Sequence, residues 1–185
     1  MSKAVKSPTE LSGMLGERVS VRKVGRRVVV VNRPARKTGP LSEKQVLHRE
    51  KFRQAVHYAN QQMDQEESRS MYDKVATEKK SAFIVALSDY LNEPKIGAID
   101  PSEYNGTPGS TILIKAVDDF MVTGVKVVIT DSDGNVLEKG DASPTPTLYM
   151  WNYTATVINP SVKGTIIKAV ATDRPGNKGS LEVTV

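Results

Sequence analysis

From residue 96 to the end of the chain, apolar side chains recur at every second position, and this alternation constrains the fold more than any other feature. The clearest runs are Ile112, Ile114 and Ala116, followed by Val125, Val127 and Ile129. Residues with this period share one face of an extended strand. Further strands are predicted at residues 96–99, 136–139, 149–157, 165–172 and 180–185. About seven short strands separated by regular turns predict a two-layered antiparallel β-sandwich.

Two segments of this region carry a resemblance to known domains. The closing segment KAVATDRPGNKGSLEVTV, with its A-x-D-x-x-G-N turn, resembles the last two strands of bacterial immunoglobulin-like and fibronectin type III-like domains. The segment IKAVDDFMVTGVKVVITDSDG is similar to the B to C portion of the same class. The resemblance covers about half the chain and implies an immunoglobulin-like fold without implying an activity. The N-terminal half looks similar to an uncharacterised bacterial protein family, which supplies no activity either.

A helical region precedes the strands. Ser42 and Gln45 have the spacing of a capping box and predict a helix start. The apolar residues that then recur at helical spacing are Phe52, Ala55, Val56, Ala59 and Met63. Two shorter helices are predicted at residues 68–76 and 81–91, the second with a stripe formed by Phe83, Ile84, Leu87, Tyr90 and Leu91. The region therefore predicts a small helical connector of three helices.

The N-terminal residues predict a basic arm that contains a β-hairpin. Valines at alternating or consecutive positions flank Gly25 and Arg26, as in a two-stranded hairpin. Residues 33–40 contain two prolines and a glycine, which predict an extended linker. An isolated hairpin is marginally stable in water, so this one needs a sheet, a neighbouring subunit or a polyanion.

Charge is distributed unevenly along the chain. Residues 1–40 contain ten lysines and arginines but two glutamates, a net charge of +8. Because the whole chain carries +5, residues 41–185 carry −3. This asymmetry predicts that the arm binds something acidic and that the rest of the chain does not.

Two kinds of partner fit the arm. The residues predicted to add a strand to a neighbour's sheet are Val19, Val21, Val28, Val29, Val30 and Val31. The residues predicted to steer a partner electrostatically are Arg22, Arg26, Arg27, Arg33, Arg36 and Lys37. Nucleic acid is the alternative partner. It would bind through phosphate and without sequence reading, because the arm has no aromatic residue on which bases could stack.

No pattern typical of an enzyme is present. The sequence lacks a G-x-S-x-G nucleophile elbow and a phosphate-binding loop, and it has no cysteine for thiolate chemistry or metal ligation. We predict no enzymatic activity, no cofactor and no small-molecule substrate. Weak calcium candidates lie in the predicted sandwich loops, namely Asp118, Asp131, Asp133 and Asp173. The fragment Asp131-Ser132-Asp133-Gly134-Asn135 lacks the later glutamate of a calcium loop, which favours a hairpin turn.

The sequence thus predicts an α+β protein in three parts. These are a basic N-terminal arm (residues 1–40), a helical connector (41–95) and an immunoglobulin-like antiparallel β-sandwich (96–185). No signal peptide or membrane span is apparent, so we expect cytoplasmic synthesis, with a virion or other assembled particle as the alternative location. The preferred hypothesis is a non-enzymatic structural subunit of a filament, phage-like particle or other self-assembling structure, which forms a homo-oligomer or larger assembly. The alternatives are a nonspecific nucleic-acid-binding protein and an adhesive or carbohydrate-binding module.

Overall fold

The computed structural model describes residues 13–15, 19–24, 27–32 and 39–185. The chain forms two compact units, Met1–Ser42 and Glu43–Val185. The helices and the sandwich therefore lie in one unit, and the arm forms the other. Within the described residues, no helix is sufficiently long and apolar to cross a membrane.

The arm contains three antiparallel strands in the order β1-β2-β3. They are β1 (Gly13–Leu15), β2 (Val19–Val24) and β3 (Arg27–Asn32). The pairing of β2 with β3 in register, from Val19 opposite Asn32 to Val24 opposite Arg27, is the predicted hairpin. The sequence did not predict β1, which is three residues long and lies in a segment without apolar alternation.

Three helices begin the second unit, namely α1 (Glu43–Asp64), α2 (Glu66–Asp73) and α3 (Ala82–Leu91). The start of α3 is capped by Ser81, whose hydroxyl oxygen accepts a hydrogen bond from the Ile84 N–H. The helices share a small core that is built mainly from alanines and one tyrosine. Its buried members are Ala59, Tyr72, Ala82, Val85 and Ala86.

The buried faces of the helices differ from the predicted ones. On α3 the buried side chains are Ala82, Val85, Ala86 and Asp89. Ile84, from the predicted stripe, is exposed. On α1 the predicted Ala55 and Ala59 are buried, but Phe52 is exposed. Small residues let helix backbones approach closely, so the alanine faces form the contact and the bulkier side chains lie at its margins.

Seven strands complete the unit. In chain order they are β4 (Lys95–Asp100), β5 (Thr111–Val117), β6 (Val122–Thr130), β7 (Val136–Pro144), β8 (Met150–Thr154), β9 (Ile166–Asp173) and β10 (Lys178–Thr184). Their hydrogen-bonded order is β10-β9-β6-β7-β8-β5-β4, with every pair antiparallel. The predicted fold class, α+β with an antiparallel β-sandwich and an N-terminal hairpin, is confirmed.

Strand β7 divides this order into two layers. Its residues from Val136 to Ala142 pair with β6, and its last two residues, Ser143 and Pro144, pair with β8. One layer is therefore β10-β9-β6-β7 and the other is β7-β8-β5-β4, which is the strand arrangement of an immunoglobulin-like sandwich with a strand that changes sheets. The sequence predicted only residues 136–139 for this strand. The remainder, Gly140 to Pro144, shows no apolar alternation, and each part of it has a strand partner on one side only, β6 up to Ala142 and β8 from Ser143.

The sandwich core is aliphatic and lies between the two layers. Its fully buried members come from β5, β6 and β9 and include Ile112, Ile114, Val125, Val127, Ile129, Ile167, Ala169 and Ala171. These are the alternating positions of the sequence, because residues with period two point to one face.

Tyr149, Trp151 and Tyr153 alternate in the segment predicted as a strand at residues 149–157, but the strand begins only at Met150. Tyr153 is buried in the core and Trp151 packs against it, but Tyr149 lies outside the strand and is 51% exposed. Its φ of 65° places it in the left-handed region, within a turn that Thr145 and Met150 close by a backbone hydrogen bond. This turn conformation takes Tyr149 out of the alternation that Trp151 and Tyr153 follow.

Candidate functional site

The first candidate site is the outer edge of β3 in the arm. Among the described strands β3 pairs with β2 alone, so its other edge has no strand partner there. Four consecutive valines, Val28 to Val31, are all exposed, and Val30 is 64% exposed. Alternate residues of a strand point to opposite faces, so both faces of β3 present apolar side chains. An apolar edge strand of this kind is a template for pairing with another chain.

The other predicted arm residues fall into two groups. Val19 and Val21 lie in β2, where Val21 is buried, and Arg22 lies in the same strand. Arg27 begins β3 and is exposed. The remaining basic residues lie outside the described residues, namely Arg26, Arg33, Arg36 and Lys37.

The second candidate site is a cluster of three carboxylates where α3 meets one end of the sandwich. Asp89 belongs to α3, Asp118 directly follows β5, and Asp173 ends β9. One carboxylate oxygen from each lies within 4.8 Å of the others. We call these three residues the aspartate cluster. Asp118 and Asp173 were calcium candidates from the sequence, and Asp89 was not.

Local hydrogen bonds fix two of these carboxylates from the sandwich side. Oδ2 of Asp118 accepts hydrogen bonds from the backbone N–H groups of Phe120 and Met121, at 3.1 and 3.0 Å. Oδ1 of Asp173 accepts from the N–H groups of Gly176 and Asn177, at 2.8 and 2.6 Å. Each aspartate therefore caps its own loop, so its position is set by the backbone.

The third carboxylate is fixed from the helical side. Oδ2 of Asp89 accepts a 2.6 Å hydrogen bond from the hydroxyl of Tyr72. Because Tyr72 donates its single hydroxyl hydrogen to Asp89, the 2.8 Å bond between the two tyrosine hydroxyls is donated by Tyr58. The ring of Tyr72 stacks on Phe120 of the β5–β6 loop, with 4.1 Å between centroids. The helical core is thus joined to the sandwich at this point.

Two oxygens of the aspartate cluster are buried without a hydrogen-bond donor, Oδ1 of Asp89 and Oδ1 of Asp118. Asp89 is 0% exposed. No ion pair among the described residues includes any member of the cluster. The nearby Arg174 lies over the ring of Tyr72, and its guanidinium donates to Ser68. A buried carboxylate oxygen with neither a donor nor a cation is energetically unfavourable.

The electrostatics of the cluster follow from this geometry. Burial raises the pKa of Asp89 to about 7, and the charges of Asp118 and Asp173 act in the same direction against the hydrogen bond from Tyr72. Burial also raises the pKa of Asp173, although its hydrogen bonds from Asn177 and Gly176 oppose the shift. Three carboxylates in one desolvated place disfavour the ionised forms of one another.

Asn177 ties the same end of the sandwich to α3. Its side-chain amide nitrogen lies within hydrogen-bond distance of Oδ2 of Asp173, at 2.8 Å, and of three backbone carbonyls at the end of the helix. Those carbonyls belong to Asp89, Tyr90 and Asn92. A cleft of about 820 Å³ opens beside the cluster, and Asp118 lines it together with Asp119 and Pro94.

The other two calcium candidates lie elsewhere. Asp131 and Asp133 lie in the β6–β7 turn, where Oδ1 of Asp131 accepts from the N–H groups of Asp133 and Asn135. Gly134 has a φ of +87°, a left-handed conformation that favours glycine. These backbone hydrogen bonds, the one from Asn135 above all, lower the pKa of Asp131. The structure therefore does not bring Asp131 and Asp133 to the aspartate cluster.

Sequence reasoning missed Asp89 because it falls within a predicted apolar helix. One signal could have revealed it: Asp89 follows Ala82, Val85 and Ala86 at spacings of seven, four and three residues. It therefore belongs to the face of α3 that those small residues bury. A single acidic residue on a buried helical face requires a partner.

Comparisons with known proteins find distant structural similarity only. No protein-family model and no curated protein matches this chain. A tetra-tandem repeat from the extending region of a large adhesion protein aligns at 25% identity with a TM-score of 0.35. It covers 49% of this chain, and the chain spans 23% of its length. CopC from Methylosinus trichosporium OB3b aligns at 14% identity with a TM-score of 0.36, over 49% of this chain and 88% of CopC.

Proposed function

We propose that this protein is a non-enzymatic structural subunit of a self-assembling particle or filament, in which the arm of one copy pairs with a second copy of the chain. The observation that carries the proposal is the exposed valine edge of β3. Four adjacent exposed valines on an edge strand lower solubility and promote aggregation unless a partner covers them. A strand added at this edge would gain backbone hydrogen bonds along β3 and bury apolar surface on both of its faces.

Charge supports a second copy as the partner. The arm carries +8 and residues 41–185 carry −3, so contact of the arm with the body of another copy is attractive, whereas contact between two arms is repulsive. Electrostatic attraction of this kind raises the rate of encounter and weakens with salt, whereas backbone pairing and apolar burial persist at high salt. We expect assembly in the cytoplasm, where the chain is made.

The test is light scattering of the nuclease-treated full-length protein after size exclusion, at low and at high salt. We expect an assembly larger than the monomer that persists at high salt. Two variants, Val29→Pro and Val30→Pro, then probe the edge of β3. Successive N–H groups of a strand point to opposite sides, so one of these prolines removes a donor facing β2 and the other removes a donor facing the free edge.

The two proline variants are expected to behave differently. The proline at the free edge leaves the pairing with β2 intact and blocks strand addition, so this variant is expected to be a folded monomer. The control for folding is the circular dichroism spectrum, which is expected to show unchanged helix and strand content. If both proline variants assemble as the wild type does, strand addition is wrong. A wild-type protein that is monomeric at every salt concentration overturns self-assembly, and salt-sensitive binding to DNA of any sequence would then identify the arm as a phosphate-binding element.

A further inference from the structure

The aspartate cluster contains buried carboxylate oxygens that no described protein atom satisfies with a hydrogen bond or a positive charge. Asp89, Asp118 and Asp173 come from three separate elements, and each offers an oxygen within 4.8 Å of the others. Oδ1 of Asp89 and Oδ1 of Asp118 are buried and accept no hydrogen bond. Two groups could satisfy such oxygens: a proton shared between carboxylates, or a cation coordinated by them.

The geometry favours the cation. Oδ2 of Asp89 is held by Tyr72 and Oδ2 of Asp118 by two backbone N–H groups, so in both residues Oδ1 is the oxygen without a donor. The two Oδ1 atoms are therefore fixed in place by the hydrogen bonds of their own carboxylates, as the ligands of a metal are. Asp173, whose oxygens accept from Gly176 and Asn177, still has a lone pair for a cation. A single shared proton would serve one pair of carboxylates and leave the third charge beside it.

The size and chemistry of the cluster select the kind of cation. Carboxylate oxygens are hard ligands, which calcium and magnesium prefer. Oxygens around calcium lie at about 2.3–2.6 Å from the ion, so ligands on opposite sides are up to about 5 Å apart. Magnesium holds its oxygens at about 2.0–2.1 Å and demands near-octahedral geometry. The three oxygens all lie within 4.8 Å of one another, which is close enough to share one ion. Magnesium usually keeps several waters and is bound by one or two carboxylates, so a set of three carboxylates favours calcium.

We infer that Asp89, Asp118 and Asp173 bind a divalent cation, calcium in preference to magnesium, which clamps helix α3 to the end of the β-sandwich. The cleft lined by Asp118 and Asp119 provides the entry path, and water from it completes the coordination. This inference is independent of the proposed function, since it concerns the second unit alone.

The test compares thermal unfolding of the full-length protein in calcium, in magnesium and in EDTA. A ligand that binds the folded state alone stabilises it in proportion to the logarithm of its concentration over Kd. At a calcium concentration 100-fold above Kd, we expect the Tm to rise by about 5 °C or more. Magnesium is expected to give a smaller rise at the same concentration.

Two conservative variants locate the site. Asp89→Asn and Asp118→Asn keep the side-chain volume and an oxygen that can accept the existing hydrogen bonds. Each is expected to weaken calcium binding by about 100-fold or more. Loss of a residue that only orients a metal ligand already costs about 10–100-fold, and these residues are the ligands themselves. In EDTA the Asp89→Asn variant is expected to be at least as stable as wild type, because it removes one of three mutually repelling charges. The matched control is Asp133→Asn in the β6–β7 turn, which is expected to keep the full calcium response.

Terbium provides a second readout that does not depend on stability. Tb³⁺ replaces calcium at oxygen sites and emits when a nearby tyrosine transfers its excitation, and the hydroxyl of Tyr72 is bonded to Asp89. We expect tyrosine-sensitised emission that calcium displaces and that Asp89→Asn abolishes.

Three results would overturn the inference. One is a wild-type Tm that no divalent cation changes, which would assign the cluster to a shared proton. Another is a calcium response that Asp89→Asn leaves intact while Asp133→Asn removes it. The third is a magnesium response larger than the calcium response, which would reverse the stated preference.

Discussion

The hydroxyl of Tyr72 donates a 2.6 Å hydrogen bond to Oδ2 of Asp89, and both side chains are fully buried. Tyr72 belongs to α2 and Asp89 to α3, so this bond joins two helices in their shared core. The same tyrosine ring stacks on Phe120, which belongs to the β5–β6 loop of the sandwich. The pair therefore couples packing within the helices to packing between the helices and the sandwich.

Replacement of Tyr72 by phenylalanine tests this bond. Tyr72→Phe leaves the buried carboxylate without its donor, and we expect a loss of about 1.5–3 kcal/mol in the free energy of unfolding. The control is Tyr58→Phe, which removes the hydroxyl that bonds Tyr72 but leaves the bond between Tyr72 and Asp89 in place. This variant is expected to cost about 1 kcal/mol or less of unfolding free energy. Chemical denaturation measures both. An equal effect of the two variants would contradict a special role for the Tyr72–Asp89 bond.

Replacement of Asn177 is expected to destabilise the protein more than replacement of the matching asparagine in the β6–β7 turn. Its amide reaches three carbonyls at the end of α3 in addition to Asp173, so Asn177→Ala is expected to cost about 1–3 kcal/mol of unfolding free energy. Asn135 occupies the equivalent position of the β6–β7 turn, and its side chain bonds only Asp131. Asn135→Ala is therefore the matched control, with an expected cost below about 1 kcal/mol. Similar losses for both variants would show that Asn177 acts only within its turn.

Gly179 permits the close approach of β10 to the start of β4. A Cβ atom at this position would lie 1.7 Å from the carbonyl oxygen of Pro94, so a backbone must shift to accommodate it. Gly179→Ala is expected to destabilise the protein by about 2–4 kcal/mol, measured by thermal or chemical unfolding. In the control, Gly124→Ala in β6, the new methyl group meets nothing within 4 Å. That variant is expected to be neutral or slightly stabilising, and a loss as large as that of Gly179→Ala would refute the steric argument.

Asp131 predicts a pH dependence of stability in acid. The hydrogen bonds from Asn135, Asp133 and Gly134 lower its pKa in the folded state. A carboxyl group with a lowered folded pKa contributes stability above its unfolded pKa and loses that contribution as the pH falls through the folded pKa. Wild type is therefore expected to be more stable than Asp131→Asn at neutral pH, and the difference is expected to shrink in acid. A difference that stays constant or grows on acidification would contradict this assignment.

Much of the sandwich is predictable because alternation reports burial directly. Ile112, Ile114, Val125, Val127 and Ile129 were expected on one face of their strands, and all are fully buried. The change of sheet by β7 was not predictable. Its residues pair with β6 and then with β8, and a segment without apolar alternation carries no periodic signal for either partner.

The candidate sites divide in the same way. The valines of β3 were expected to form an apolar strand from their β-branched composition, and they lie exposed along its edge. The sequence predicted two members of the aspartate cluster, Asp118 and Asp173, as loop carboxylates. It did not predict Asp89, which lies within an apolar helix. The grouping itself depends on contacts between residues distant in sequence.

Two turns with the same pattern illustrate what sequence determines. Asp131 to Asn135 and Asp173 to Asn177 both read Asp-x-x-Gly-Asn, and both fold with the aspartate accepting from the N–H of the asparagine and a left-handed glycine. Local chemistry fixes this conformation, since the donors and acceptors are within five residues. Only the tertiary structure decided that one turn faces solvent while the other meets α3 and supplies Asp173 to a buried cluster. The reason is physical: hydrogen bonds within a turn are set by short chain segments, whereas the packing of a helix on a sandwich is set by apolar surface that distant segments bury together.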